Sequence, residues 1–158
     1  MKKLWSSGLV VFAGMVAQPA GVPPRQVPAS PTPECRRDSR LETLRSFFRK
    51  CACPAGIYSR AFLEAADDYA LDWRLLPSIS YIETTGGKVA RNNNLFGWDS
   101  GRTRFPSPTA AIRTVAYNLA HSVLYKDKKL DEVLVTYNHT PAYGRRVKSI
   151  MRKIAPSE

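Results

Sequence analysis

The chain has 158 residues, and its length leaves room for one compact domain rather than several. Apolar residues make up 44% of it and aromatic residues 10%, enough to bury a core. Its 24 Lys and Arg residues exceed its 13 Asp and Glu residues, and the net charge of +11 favours polyanionic partners: nucleic acid, anionic lipid or acidic cell-wall polymer.

Residues 1–20 have the layout of a secretory signal peptide. Two lysines precede an apolar run from Leu9 to Ala17, which is too short to span a bilayer comfortably. The cleavage site is poorly defined, because neither Ala17 nor Ala20 has an ideal small residue two places before it. An uncleaved N-terminal anchor is therefore the alternative. Either form predicts an exported protein, periplasmic or extracellular, which meets wall polymer and lipid more readily than nucleic acid.

Residues 21–38 are predicted to be an extended tether, because they contain five prolines and few apolar residues. Near its end stands Cys35, and Cys51 and Cys53 follow. In an oxidising compartment Cys35 is expected to bridge to Cys51 or Cys53, which leaves one thiol over. A zinc site would need a fourth ligand, and neither histidine lies at ligand spacing from the cysteines. We expect neither a metal ion nor a cofactor.

The folded domain is expected over residues 39–158, and its first half has three helical patterns. Ser39 and Glu42 form a capping box ahead of the first helix. A second helix is predicted from about Ser59 to Ala70, with one apolar and one acidic face. A third, short helix carries an apolar stripe and has Pro77 in or near its first turn.

The second half begins with an irregular stretch from Lys88 to Pro106. It has no helical period and many Asn, Gly, Ser and Arg residues, which predicts a loop or a small β-hairpin. Ser107 and Pro108 then start a helix, since Ser is a good N-cap and Pro suits the first helical position. Further helices are predicted over Leu130–Asn138 and after Thr140–Pro141. The fold class is therefore mainly α with one small insertion.

Glu83 is the candidate catalytic residue. It follows Ile79 and Ile82 on an apolar helix face, and no Lys or Arg occurs before Lys88. Cleavage of a glycosidic bond needs an acid that still holds its proton near neutral pH, and burial beside apolar groups supplies this by penalising the ionised form. The spacing would equally suit a helix-end Glu paired with a remote arginine.

Four segments resemble the lysozyme-like glucosaminidase family of bacterial cell-wall hydrolases, whose members are often described as mannosyl-glycoprotein endo-β-N-acetylglucosaminidase-like. LLPSISYIETTGGK is similar to the family's catalytic-Glu helix, NNNLFGW to its N-N-L-F-G turn and FPSPTAAI to its next helix start. TYNHTPAYGRRV resembles its late tyrosine motif, with Tyr137 and Tyr143 at matching separation. The segments occur in the family's order and lie within Tyr58–Ile154.

This resemblance implies a lysozyme-like superfold that cleaves the β-1,4 glycan strand of peptidoglycan at N-acetylglucosamine, with Glu83 as general acid. Tyr137 falls on the family's cleft tyrosine, which orients the reacting sugar or water; its alternative role is a core aromatic. Substrate-binding groups are expected at Asn93, Asn94, Phe96, Trp98 and Tyr143. Packing of the hairpin is the alternative for the aromatic pair Phe96 and Trp98, and turn formation is the alternative for the asparagines.

The chain departs from the family where hydrolytic members commonly have a second carboxylate. Thr109 stands where an acid is often found, and Asp99 is the nearest substitute, although an Asp in WDSG is typical of a turn. Two routes remain without a second carboxylate. Either the substrate's own groups assist, or a sugar hydroxyl closes a ring, as in lytic transglycosylases.

Other function classes remain as alternatives. A non-catalytic cell-wall binding module would keep the aromatic residues and the basic surface but would not need Glu83. Nucleic-acid binding rests on charge alone, and the predicted export opposes it. We therefore expect a monomer that acts on peptidoglycan, with no membrane contact beyond a possible N-terminal anchor.

Overall fold

Six α-helices and one 3₁₀-helix account for most of the part of the chain that the computed structural model describes, residues 38–156. The 3₁₀-helix, Pro54–Tyr58, lies between the first two α-helices. No strand occurs within this range, where one isolated antiparallel bridge joins Arg91 and Asn94. The α-helices are α1 (Ser39–Lys50), α2 (Ser59–Asp68), α3 (Leu75–Thr84), α4 (Pro108–His121), α5 (Leu130–Tyr137) and α6 (Pro141–Ile154). The prediction of a mainly α domain is confirmed.

The predicted starts of α2, α4, α5 and α6 match the structure, whereas the predicted cap of α1 does not. Asp38, not Ser39, is the N-cap, and its carboxylate accepts a hydrogen bond of 2.9 Å from the backbone N–H of Arg40. The predicted capping box at Ser39 is therefore wrong by one residue. Ser107 caps α4 as predicted, because its hydroxyl accepts a hydrogen bond of 3.1 Å from the N–H of Ala110.

The core is built around α3, which lies against α2 and α6. Residues 75–80 of this helix are all buried, and Pro77 sits within its first turn as predicted. Phe48, Phe62 and Phe96 form a chain of ring contacts at the core, with centroid separations of 5.8 and 6.3 Å. Each fully buried aromatic side chain contributes about 1.5–3 kcal/mol to folding. Glu83 lies in the last turn of α3, beyond its buried residues.

The end of α3 is tied to the irregular stretch that follows it. Thr85 adopts a left-handed conformation with φ of 53°, and Gly86 and Gly87 follow with positive φ. Before this stop, the hydroxyl of Thr84 donates a hydrogen bond of 2.8 Å to the carbonyl of Leu95. The irregular stretch is thus a loop anchored to the helix end, which is the first of the two predicted forms.

Several predictions from the sequence fall on residues 1–37. The signal peptide or anchor, nearly all of the tether and the pairing of Cys35 lie outside the described residues. Within residues 38–156, Cys51 and Cys53 form no disulfide bond. Across residues 38–156 no helix is long and apolar enough to cross a membrane. The same range contains no group of three His, Cys, Asp or Glu residues suited to a metal ion.

Candidate active site

Glu83 lies in the last turn of α3, where the buried face of the helix meets an open cleft. It is four residues beyond Ile79, which is fully buried, so the helix period carries Glu83 on the inward-facing side. The side chain is half-buried and borders a cleft of about 490 Å³. Other residues that line this cleft are Gly97, Trp98, Asp99, Ser100, Tyr125, Tyr137 and Asn138.

The loop opposite Glu83 is shaped by Asn94, whose side chain is 2% exposed. Its amide N–H groups donate to the carbonyls of Trp98 and Thr103, at 2.9 and 3.2 Å. Its amide oxygen accepts from the backbone N–H groups of Phe96 and Trp98. Both the N–H groups and the oxygen of the Asn94 amide therefore form hydrogen bonds within the loop. Asn94 shapes the turn, and its amide is not free for the predicted contact with an acetamido group of the substrate.

Asn93 has a similar structural role. Its side-chain amide donates a hydrogen bond of 2.9 Å to the carbonyl of Phe105, across the base of the loop. Its backbone is in the left-handed region, with φ of 59°, as Asn tolerates better than most residues. Asn93 thus closes the loop rather than facing the cleft beside Glu83.

Gly97 brings the loop into contact with the carboxylate. Its φ is 59°, a left-handed conformation, and a Cβ atom at this position would lie 2.9 Å from Oε2 of Glu83. No larger residue fits here without moving one of the two groups. Gly97 is not among the predicted site residues, although a glycine between two aromatic residues in the segment after a candidate acid is a usable signal.

Three aromatic side chains form a wall of the cleft. The Trp98 ring lies 5.8 Å from the Tyr137 ring and 6.3 Å from the Tyr125 ring, in edge-on and tilted arrangements. Burial and the nearby Glu83 charge raise the pKa of Tyr137 well above its usual value. Its hydroxyl stays protonated and donates a hydrogen bond of 2.7 Å to the carbonyl of Phe96. Tyr137 therefore holds the loop against α5 while its ring borders the cleft.

Phe96 and Tyr143 lie behind this wall. Phe96 is fully buried and packs edge-on against Phe62, so it has no face to offer a sugar ring. Tyr143 is 3% exposed and stacks on Tyr137 with a centroid distance of 5.8 Å and an interplanar angle of 5°. The expectation that these two side chains touch substrate directly is corrected accordingly: one belongs to the core, and the other supports the wall.

The structure brings four of the eight candidate residues to this cleft: Glu83, Trp98, Asp99 and Tyr137. Asn94 borders an adjoining space that Glu83 also lines. Tyr125 completes the wall and was missed, because it lies in the turns between α4 and α5, where no periodic pattern marks it. Comparison with protein-family models and with curated proteins gave no match for this chain.

The surroundings of Glu83 favour the protonated form of its carboxyl group over the ionised form. Burial raises the pKa of Glu83 above its ordinary value of 4.5, while the Tyr143 hydroxyl and the positive charge of Arg146 lower it in part. The Tyr143 hydroxyl is buried and forms no hydrogen bond of regular geometry within residues 38–156, so its contact with the carboxylate is a loose one. Desolvation is the larger effect, and the group is suited to donate a proton.

Asp99 differs from Glu83 in every respect that matters for proton donation. It lies on the cleft rim with its side chain 50% exposed, and Arg102 approaches its Oδ1 to 2.6 Å. The hydrogen bond from Arg102 lowers the pKa of Asp99. Asp99 is therefore ionised near neutral pH, and it can act as a base or a fixed negative charge but not as an acid. Its φ of 52° fits the turn-forming alternative.

Replacing Tyr143 with Phe is expected to raise the pKa of Glu83 further. In the wild type the Tyr143 hydroxyl lowers the pKa of Glu83, in opposition to the effect of burial. Without the hydroxyl, the effect of burial on this pKa is larger. The upper limb of the pH–rate profile should move to higher pH, whereas a purely structural role would lower the rate at all pH values alike. The measurement is kcat/KM against pH, supported by NMR titration of the carboxyl carbon. An unmoved or lowered upper limb would contradict the contact.

Proposed function

We propose that this protein is an exported glycoside hydrolase that cleaves a β-1,4 bond at N-acetylglucosamine in the glycan strands of peptidoglycan. The observation that carries the proposal is the state of Glu83, a half-buried carboxyl group with a raised pKa that borders an open cleft. Proton donation to the departing glycosidic oxygen needs such a group. The helical architecture and the order of the four sequence segments support a lysozyme-like superfold.

The aromatic wall supports a saccharide as the ligand of the cleft. The Trp98 and Tyr137 rings border the same space as Glu83, and apolar ring faces are suited to the C–H surfaces of sugars. The net charge of +11 suits a polymer that carries carboxylates, as wall peptides do. In this proposal Glu83 protonates the leaving oxygen, and the aromatic side chains hold the sugar beside it.

A specific observation favours lytic transglycosylation as the second candidate. Among the residues that line the cleft, the other carboxylate is Asp99, and Arg102 already binds it at 2.6 Å. In hydrolysis, water adds to the anomeric carbon and its proton passes to a base. In transglycosylation, the 6-hydroxyl of the same sugar attacks that carbon and returns its proton to Glu83. The two routes therefore leave different chain ends.

Mass spectrometry of digested peptidoglycan tests both candidates in one experiment. A hydrolase leaves a reducing end, while a transglycosylase leaves a 1,6-anhydro end that is lighter by one water. We expect fragments with reducing N-acetylglucosamine ends from the wild type and neither product from the Glu83→Gln protein. Anhydro ends would select the second candidate. Strand binding with neither product under any condition would favour a cell-wall binding module instead.

A further inference from the structure

The cleft continues past Glu83 on the side away from the aromatic wall. A second space of about 410 Å³ adjoins the first and shares with it Glu83, Gly97 and Ser100. We call the space bordered by Trp98, Tyr125 and Tyr137 the aromatic half, and the space bordered by Arg91 the Arg91 half. Glu83 thus lies where the two halves meet, so a chain molecule can pass on both sides of the carboxyl group.

The two halves differ in charge and in ring content. Besides the shared Glu83, the aromatic half has one charged residue, the ionised Asp99. The Arg91 half has one cation, Arg91, and an exposed apolar side chain, Val89, with no aromatic ring among its lining residues. The Asp99 charge is paired with Arg102, and no cation is among the residues that line the aromatic half, so an anionic substituent finds an unpaired cation only in the Arg91 half.

The side chain of Arg91 is open to solvent, while its backbone is held in the loop by a hydrogen bond. Its side chain is exposed and forms no ion pair or hydrogen bond with any other residue between 38 and 156, unlike Arg102 on the opposite rim. Its carbonyl accepts a hydrogen bond of 2.8 Å from the N–H of Asn94, within the bridge that closes the loop. The loop that shapes the catalytic cleft thus also fixes Arg91.

We propose that Arg91 binds a carboxylate substituent of the glycan strand. The sugar that bears the carboxylate then occupies the Arg91 half, and an uncharged N-acetylhexosamine occupies the aromatic half. A guanidinium suits this task because its planar N–H groups match the two oxygens of a carboxylate. This inference rests on the proposed function, and it adds which sugar lies on each side of Glu83.

Binding measurements test the inference without relying on cleavage. The Glu83→Gln protein, with and without Arg91→Ala, is titrated by calorimetry with three ligands. These are glycan strands stripped of peptides, which carry lactyl carboxylates; strands with peptides, whose carboxylates are on the peptide; and neutral β-1,4 N-acetylglucosamine oligomers. Arg104→Ala is the matched control, since Arg104 is exposed, lies in the same loop and forms no ion pair among the described residues.

Arg91→Ala should weaken binding of carboxylated strands by about 10- to 100-fold, as expected for loss of a charged hydrogen-bonded contact. Neutral oligomers should bind equally with and without Arg91, and Arg104→Ala should change nothing by more than about twofold. A loss confined to stripped or to peptide-bearing strands identifies which carboxylate is bound.

Equal weakening for neutral and carboxylated ligands, or no weakening at all, overturns the assignment of Arg91. The proposed function fails by a different result, namely a wild-type protein that cleaves none of the three ligands. Binding of carboxylated strands that depends on Arg91 would stand even then, because the calorimetric measurement does not require a cut.

Discussion

The Glu83→Gln protein is expected to cleave glycan strands about 10²- to 10⁴-fold more slowly than the wild type, the range that a positioned general acid contributes. Glutamine keeps the size and polarity of the side chain but has no proton to give to the departing oxygen. Since Glu83 borders the cleft and its pKa is raised by burial, the change removes the proton donor at the site of reaction. The measurement is the initial rate of release of soluble fragments from peptidoglycan.

Glu64→Gln is the matched control for this change. Glu64 is exposed on α2 and forms no ion pair among the described residues, so the same substitution there should leave the rate within about twofold. A Glu83→Gln protein that clears peptidoglycan as fast as the wild type ends the enzymatic assignment. A Glu64→Gln protein that is equally slow would mean that net charge, not the proton of Glu83, sets the rate.

Thermal stability shows whether the loss of rate is a folding defect. The pKa of Glu83 is higher in the folded protein than its ordinary value of 4.5, so the folded state binds the proton more tightly than the unfolded state. The resulting stabilisation is complete below pH 4.5 and is lost as the pH rises through the folded-state pKa. Glutamine has no charge to bury. The melting temperature of the Glu83→Gln protein should therefore equal that of the wild type in acid and exceed it near neutral pH.

The helices could be predicted because apolar residues recur at helical spacing, and several residues support each helix. The apolar stripe on α1 contains Leu44, Phe47 and Phe48, which are all buried, so the prediction of this helix survives the wrong cap at Ser39. Asp38 and Ser39 are both good N-cap residues and stand side by side, so residue type alone does not decide which of them caps the first turn of α1. Periodicity therefore fixes the elements better than it fixes their ends.

The site was harder to predict, because it depends on an irregular loop. Phe96 and Trp98 are two residues apart and would share a face in a strand, but the left-handed Gly97 between them turns the chain. One ring therefore enters the core and the other borders the cleft, a split that no sequence pattern specifies. Tyr125 lies in turns whose path is set by tertiary packing, and it had no signal at all.

Gly97→Ala is expected to lower the rate of cleavage about 10²-fold, as small misplacements of catalytic groups do. The added methyl group would lie 2.9 Å from Oε2 of Glu83, which is closer than real Cβ contacts, so the carboxylate or the loop must shift. The left-handed backbone of an alanine adds about 1–2 kcal/mol of strain. The measurements are kcat/KM on peptidoglycan and the melting temperature of the same protein.

Gly101→Ala separates the two effects, because Gly101 also has a positive φ, 79°, but a Cβ atom there meets nothing within 4 Å. Both variants carry a similar backbone strain and should lose similar stability, whereas the collision with the carboxylate belongs to Gly97→Ala. If the two variants lose a similar amount of melting temperature, the Gly97→Ala protein should still cleave much more slowly than the Gly101→Ala protein. Equal rates would mean that strain in the loop, rather than the position of the Glu83 carboxylate, limits cleavage.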